Sequence, residues 1–378
     1  LVISVAVYFI VRDLSLLIAL LLVACADDIA VAVPMAFLAA IGYAAHRGVI
    51  IKGGNYLEAL SKVKTLIVDK TGTLTKGKLK VVQAIPYDGY TESEFLKLAA
   101  TAESFSEHPV AKAIMAYTAS RGALPDKADN FKERPGRGTI ANYRGHMLLS
   151  GNLNFLKEEA IIIQSSEMKE IENSQAKGYN VTLFAYAGKL AGVIESADEL
   201  RPNVKLALRD IRHYGVEKII MLTGDNENVA ERISKELSLD QYHANLLPED
   251  KLVYIKQYLN GKNKVAMVGD GVNDAASLAL ADIGIAMGVI GSDTAIEAAD
   301  IALMRDNFKR IPEMMELSHY TNKISRQDFW IWGVVNLIGL VLVFTKVIGP
   351  EGAAAYNFVT DFFPLMNSLR LFNLHLEI

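Results

Sequence analysis

Thr65-Leu66-Ile67-Val68-Asp69-Lys70-Thr71-Gly72-Thr73-Leu74-Thr75 is the stretch on which the reading of this chain turns. A short apolar run leading straight into an acidic residue suits a strand buried on both faces of a parallel sheet. The residues that follow offer a carboxylate at the strand end, a glycine and three hydroxyls. Such a loop lets backbone amides close around a phosphoryl group, with Asp69 as the nucleophile. A lone acidic residue after a strand is ordinarily a cap or a turn former. The seven-residue pattern from Asp69 to Thr75 sets this one apart.

Working outward, two further apolar runs end in the same way: Ile219-Ile220-Met221-Leu222-Thr223-Gly224-Asp225 and Val265-Ala266-Met267-Val268-Gly269-Asp270. Residues 203–214 and 228–237 between them carry helical spacing. The pattern predicts a doubly wound α/β fold, in which active groups gather at the carboxyl ends of strands. More than a hundred residues separate the first strand from the second, so another domain, at 77–190, is inserted there. No internal repeat or low-complexity segment is present.

The 378 residues are 51% hydrophobic with a mean hydropathy of +0.21, and two or more domains are expected of such a length. The apolar excess lies at the two ends. Residues 1–11 read as the tail of a helix and 14–45 as one long apolar run, interrupted by Asp27-Asp28 and Pro34. At 1.5 Å per residue that run spans about 48 Å, more than the roughly 30 Å of a bilayer core. Residues 329–348 and 353–372 read as a helical hairpin around Gly349-Pro350-Glu351-Gly352. His46, Arg47, Lys52, Lys323, Arg326 and Arg370 mark the junctions, which predicts a multi-pass membrane protein with its polar body in the cytoplasm. No basic leader or cleavage site marks the opening stretch as a secretory signal. A net charge of −4 gives no basis for a nucleic-acid partner. Cys25 is the single cysteine, which excludes an intrachain disulfide and a Cys-rich metal module.

With Asp69–Thr75, Thr223-Gly224-Asp225, Pro248-Glu249-Asp250-Lys251 and Gly269-Asp270-Gly271-Val272-Asn273-Asp274 in this order, the chain resembles the P-type ATPases over essentially its whole length. The resemblance implies membrane helices at 1–47 and 319–378. Between them it implies a Rossmann-like, haloacid-dehalogenase-type phosphorylation domain in two parts, 48–76 and 191–318, with an inserted α+β nucleotide-binding domain at 77–190. It also implies ATP and Mg²⁺ as cofactors, a transported cation, contact with membrane lipid, and a plasma-membrane location. Asp69 would take the γ-phosphoryl group. Lys251 would pair with phosphoryl oxygens and Thr223 would donate its hydroxyl. Mg²⁺ would sit among Asp69, the Thr71 carbonyl and Asp270, with Asn273 and Asp274 supporting it. Thr71 stands where soluble phosphatases of this fold carry a second aspartate. It transfers protons poorly near neutral pH, so an acyl phosphate would persist.

Glu103-Ser104-Phe105-Ser106-Glu107-His108-Pro109 is similar to the Ser-Glu-His-Pro signature of the heavy-metal-transporting branch, as are Ile51-Lys52-Gly53-Gly54 and Asp198-Glu199-Leu200-Arg201-Pro202. The resemblance places Glu103 on the adenine side, with His108 stacking on adenine or holding the nucleotide through a neighbour, and Asp225 also at the nucleotide. Gly136 and Gly138 would allow close backbone approach. On their own, a His-Pro pair is a helix start and a Gly-x-Gly a loop.

The chain departs from the branch at Ala24-Cys25-Ala26-Asp27-Asp28, where a Cys-Pro-Cys variant is usual. Two adjacent carboxylates in an apolar helix are costly unless paired, protonated or bound to a cation. Asp27, Asp28 and Cys25, with Asn336, Asn357 and Asp361, are therefore the expected cation ligands, Asp27 foremost because it occupies the family's ligand position. One thiol among several oxygens favours a harder or borderline cation over Cu(I). No Thr-Gly-Glu occurs, so an actuator domain would come from a longer product or another chain. The competing readings are a membrane-tethered phosphatase and a non-transporting nucleotide-binding protein.

Overall fold

The computed structural model describes residues 12–24, 27–87, 89–134, 137–259, 263–270, 274–288 and 293–373. Residues 1–11, Cys25, Gly136 and Asn273, all named above, lie outside them. The chain divides into two compact units: Leu1–Ile67 with Leu206–Glu217 and Leu252–Ile378, and Val68–Lys205 with Lys218–Lys251.

In the first unit the sheet order runs Val49–Ile51, Ile301–Leu303, Ile283–Met287, Lys264–Gly269, then the strand that begins at Val63. Val49–Ile51 is antiparallel at the edge, and the next three are parallel to one another. Val265 to Val268 and all of Ile283–Met287 are buried, as continuous apolar runs require of strands covered on both faces.

The apolar ends of the chain fold into helices of the same unit. Leu14–Val23 is capped by Asp13, whose carboxylate accepts from the Leu16 amide at 3.2 Å. Asp27–His46 is a 20-residue helix that continues through Pro34. Cys25 and Ala26, between these two stretches, lie outside the described residues, and Asp27 and Asp28 stand in the first turn of the second. That position favours carboxylates, because the free amides there carry partial positive charge.

Arg310–Phe344 is one 35-residue helix, so the first arm of the expected hairpin starts well before residue 329. At about 52 Å it outruns a bilayer core, and its polar first half lies beyond the apolar half. The second arm is broken into Pro350–Thr360 and Phe362–Leu369. Pro364 has no amide for the Thr360 carbonyl, which accounts for the break. Two stretches, Leu14–His46 and Arg310–Phe344, are long and apolar enough to cross a membrane. Arg47, at the end of Asp27–His46, reaches buried Glu313 at 3.9 Å, and Arg310 bonds the same carboxylate.

The second unit holds the parallel pair Lys218–Leu222 and Gln241–His243 and a six-stranded antiparallel sheet. Its order is Thr75–Pro86, Lys189–Leu200, Asn180–Tyr186, His146–Gly151, Gly138–Tyr143, Asp129–Arg134. The first two strands pair from Thr75–Leu200 to Pro86–Gly192, carrying the chain out of the Asp69 loop and back. Period-two alternation then builds a core on each face. Leu148 and Phe184 pack with Phe95 and Ile114 from helices Glu92–Glu103 and Pro109–Ser120. Leu149 and Leu183 pack with Phe155 and Ile171 from Leu153–Glu158 and Ser165–Ala176.

Candidate active site and cation ligands

Asp69 ends its strand buried, and its Oδ1 accepts a hydrogen bond from Lys251 Nζ at 2.6 Å. Lys251 comes from the helix Pro248–Tyr258. Leaving either charge of such a buried pair alone costs about 3–5 kcal/mol, so the two hold each other in place. After Asp69 the backbone swings through an irregular turn: Thr71 is extended, with φ −76° and ψ 129°, and Gly72 has φ +74°. That left-handed step is where glycine is needed. Thr71 has an exposed side chain.

The turn is strapped from behind by residues that motif reading did not assign a role. Arg201 is buried, donates through Nε to the Thr73 carbonyl at 2.7 Å, and bonds the Gly72 carbonyl through Nη2. Its own amide donates to the Leu74 carbonyl at 2.9 Å. Lys70 is buried with its amino group between Asp198 at 3.1 Å and Asp225 at 2.7 Å. Asp198 also accepts from Thr75 Oγ1 at 2.7 Å. Lys70 is therefore committed to two carboxylates, and Lys251 is the cation on the nucleophile. The sequence signal for the strap was Asp198-x-x-Arg201-Pro202, noticed only as a family likeness.

Thr223 is buried at the end of Lys218–Leu222, and its Oγ1 accepts from the Asp225 amide at 3.1 Å. Asp225 is thereby turned toward Lys70, an ion-pair role beside the nucleotide role expected of it. In the first unit, Asp270 follows Lys264–Gly269 directly, and buried Asp274 immediately precedes Ala275–Leu280. A Cβ on Gly269 would come within 3.0 Å of Asp274 Oδ2, so glycine makes room for that carboxylate. Asp69 and the Thr71 carbonyl, in the second unit, are oxygen donors of the kind that suits Mg²⁺, and Asp270, in the first, is a donor of the same kind.

Glu103, His108 and Gly138 line one cavity of about 790 Å³, a size typical of small-molecule sites. Glu103 is buried and accepts from Ser150 Oγ; burial raises its carboxyl above the usual glutamate range, with the Ser150 bond pulling the other way. His108 caps Pro109–Ser120, its Nδ1 accepting from the Val110 amide at 3.3 Å, so the helix-start reading of the His-Pro pair holds in the structure. That bond places the ring proton on Nε2. At Gly138 a Cβ would lie 2.0 Å from the Ser150 carbonyl, so strand packing alone requires glycine there.

Among the expected cation ligands, Asp28 is buried while Asp27 is exposed, the reverse of the emphasis placed on Asp27. Asp28 Oδ1 accepts from the Ile29 amide at 2.8 Å. Asn336 donates to the Trp332 carbonyl at 2.9 Å, and its Oδ1 is buried with no hydrogen-bond partner among the described residues. Asn357 and Asp361 lie 3.5 Å apart, and Asp361 is within electrostatic range of Asp28 and Asp27. No three His, Cys, Asp or Glu among the described residues converge on one point. Asp328, from the same helix as Asn336, is fully buried and accepts from Asn367 Nδ2 and Ser368 Oγ, both at 2.8 Å. Ser368 Oγ is also 2.9 Å from the Ala32 carbonyl.

A family model described as haloacid dehalogenase-like hydrolase matches residues 63–282. The chain is 39% identical over 344 residues to a zinc-transporting ATPase of Synechocystis sp., covering 89% of this chain and 46% of that protein. It is 34% identical over 377 residues to a manganese-exporting P-type ATPase of Mycobacterium leprae, covering 100% and 52%. A crystal structure of a zinc-transporting PIB-type ATPase in the E2.Pi state superposes with a TM-score of 0.84 at 34% identity, over 91% of this chain and 56% of that one. The chain belongs to the haloacid dehalogenase-like hydrolases, and it is similar to heavy-metal-transporting P-type ATPases. It spans about half the length of the curated relatives it matches.

Proposed function

We propose that this chain carries the phosphoryl-transfer machinery of an ATP-driven metal-cation pump of the cytoplasmic membrane, and that Asp69 becomes an aspartyl phosphate. The observation that carries the proposal is the buried Asp69–Lys251 pair at 2.6 Å on a loop fixed from behind by Arg201 and Lys70. A carboxylate so placed is held for in-line attack, and Lys251 can follow the phosphoryl oxygens as charge moves onto them. Asp69 and the Thr71 carbonyl are the donors of the second unit that would hold Mg²⁺, which when bound would neutralise charge between carboxylate and phosphate. Thr71 offers no proton-transfer group, so the acyl phosphate outlives the step that forms it. That property suits a pump and speaks against the phosphatase reading. The nucleotide enters the cavity beside Glu103 and His108. Asp28, Asn336 and Asp361 supply oxygen donors for the transported metal ion, as zinc and manganese are named for similar proteins.

Incubation with γ-labelled ATP and Mg²⁺ is expected to give an acid-stable, hydroxylamine-labile label on Asp69, absent in Asp69→Asn. A label that survives this substitution defeats the proposal.

A further inference from the structure

The helix Arg310–Phe344 presents one face to solvent along much of its length. His319, Lys323 and Arg326 occupy its polar half, and Trp330, Val334, Leu337, Val341 and Phe344 continue at three- and four-residue steps along the apolar half. Such steps keep residues on one stripe of a helix. Trp330 is 75% exposed and Leu337 63% exposed. Where the stripe changes character there is a cleft of about 410 Å³, walled by Lys62, His319, Lys323, Arg326, Gln327 and Trp330.

Only part of the charge of this cleft is paired among the described residues. Lys62 pairs with Glu58 at 2.6 Å, and His319 Nε2 contacts the Tyr214 carbonyl at 3.0 Å. Lys323 and Arg326 make no ion pair among the described residues. Arg370 reaches the same place through Gln327, at 3.5 Å. Two unpaired cations therefore stand directly above an exposed tryptophan and an apolar stripe. Indole rings favour the head-group level of a bilayer, and basic pockets at its cytoplasmic face attract anionic lipid.

We propose that this cleft is a head-group site for an anionic phospholipid. Lys323 and Arg326 hold the phosphate, Trp330 packs at the glycerol level, and the acyl chains lie along Val334, Leu337 and Val341. The proposal rests on the membrane reading of the helix but not on chemistry at Asp69, so labelling of Asp69 and lipid binding succeed or fail separately. A free inorganic anion would use the cations and ignore the stripe.

The test uses the chain purified in nonionic detergent, titrated with dioctanoyl-phosphatidylglycerol, dioctanoyl-phosphatidylcholine and inorganic phosphate. The glycerol lipid is expected to bind at least about tenfold more tightly than the choline lipid. Lys323→Gln and Arg326→Gln should each weaken it by roughly fivefold, and together by about 25-fold, the equivalent of one surface cation each. Lys78→Gln/Lys80→Gln, an equal loss of charge on exposed strand residues, should leave it unchanged. Trp330→Ala should weaken both lipids. Equal affinity for the two lipids, binding undiminished in Lys323→Gln/Arg326→Gln, or displacement of the lipid by an equal concentration of phosphate would each overturn the proposal.

Discussion

Glu103 shows how one buried carboxyl sets a pH dependence. Burial raises its pKa in the folded state, so the native protein holds that proton more tightly than the unfolded chain does. Its contribution to stability is fully present below the ordinary glutamate value of about 4.3 and declines as pH rises from there to the raised folded value. Glu103→Gln keeps an acceptor for Ser150 and cannot ionise. Thermal unfolding between pH 4 and 8 should therefore show a flatter pH slope in this variant, and greater relative stability at the upper end. A slope identical to that of the parent would mean that folding does not raise the Glu103 pKa. The residues that could be found in the sequence were those whose chemistry is in the side chain and whose motif is contiguous, such as Asp69 and Lys251. His108 was also visible, but its capping bond was one of two readings that the letters could not separate. Which of Asp27 and Asp28 turns inward depends on where a helix begins, and no local signal marked that start.

At the scale of elements, the Asp69 loop depends on a partner far along the chain. Arg201 acts through backbone carbonyls at Gly72 and Thr73, well over a hundred residues earlier. Carbonyls carry no residue-specific signal, so the strap could not be derived from letters although the three parallel-sheet runs could. Arg201→Ala should leave the buried Thr73 carbonyl short of its donor, at about 1–3 kcal/mol, and the partly buried Gly72 carbonyl at less. The expected outcome is a 10- to 100-fold slower phosphorylation from ATP with nucleotide affinity little changed. Arg201→Lys should recover only part of the rate, because an ammonium lacks the planar fork that reaches both oxygens. Parallel loss of nucleotide affinity would show that the arginine supports the whole unit instead. The strands Thr75–Pro86 and Lys189–Leu200 carry this coupling further, since the same ladder that begins beside Thr75 ends in the sheet of the insert.

For the molecule as a whole, the uneven hydropathy was readable at once, and the pairing of its two apolar ends was not. Ala32 and Ser368 are 336 residues apart and in contact. Cation dependence should follow the inward carboxylate: Asp28→Asn is expected to abolish metal-stimulated labelling from ATP while sparing labelling by inorganic phosphate. Asp27→Asn should be the milder change. The opposite order, measured across Mn²⁺, Zn²⁺, Co²⁺ and Cu⁺, would return the ligand role to Asp27.

The Ser368 hydroxyl has a mechanical consequence. It touches the Ala32 carbonyl on one helix and the Asp328 carboxylate on another, while belonging to a third. Polar contacts in an apolar medium are worth about 0.6–2 kcal/mol each and find few substitutes once broken. Asp27–His46, Arg310–Phe344 and Phe362–Leu369 are thus riveted at one point. Sliding any one of them alone shears the rivet, whereas a swing of all three about it costs nothing there. Among the described residues, Ser368 is thus a point at which three helices share polar contacts, and motion of any one of them there involves the other two.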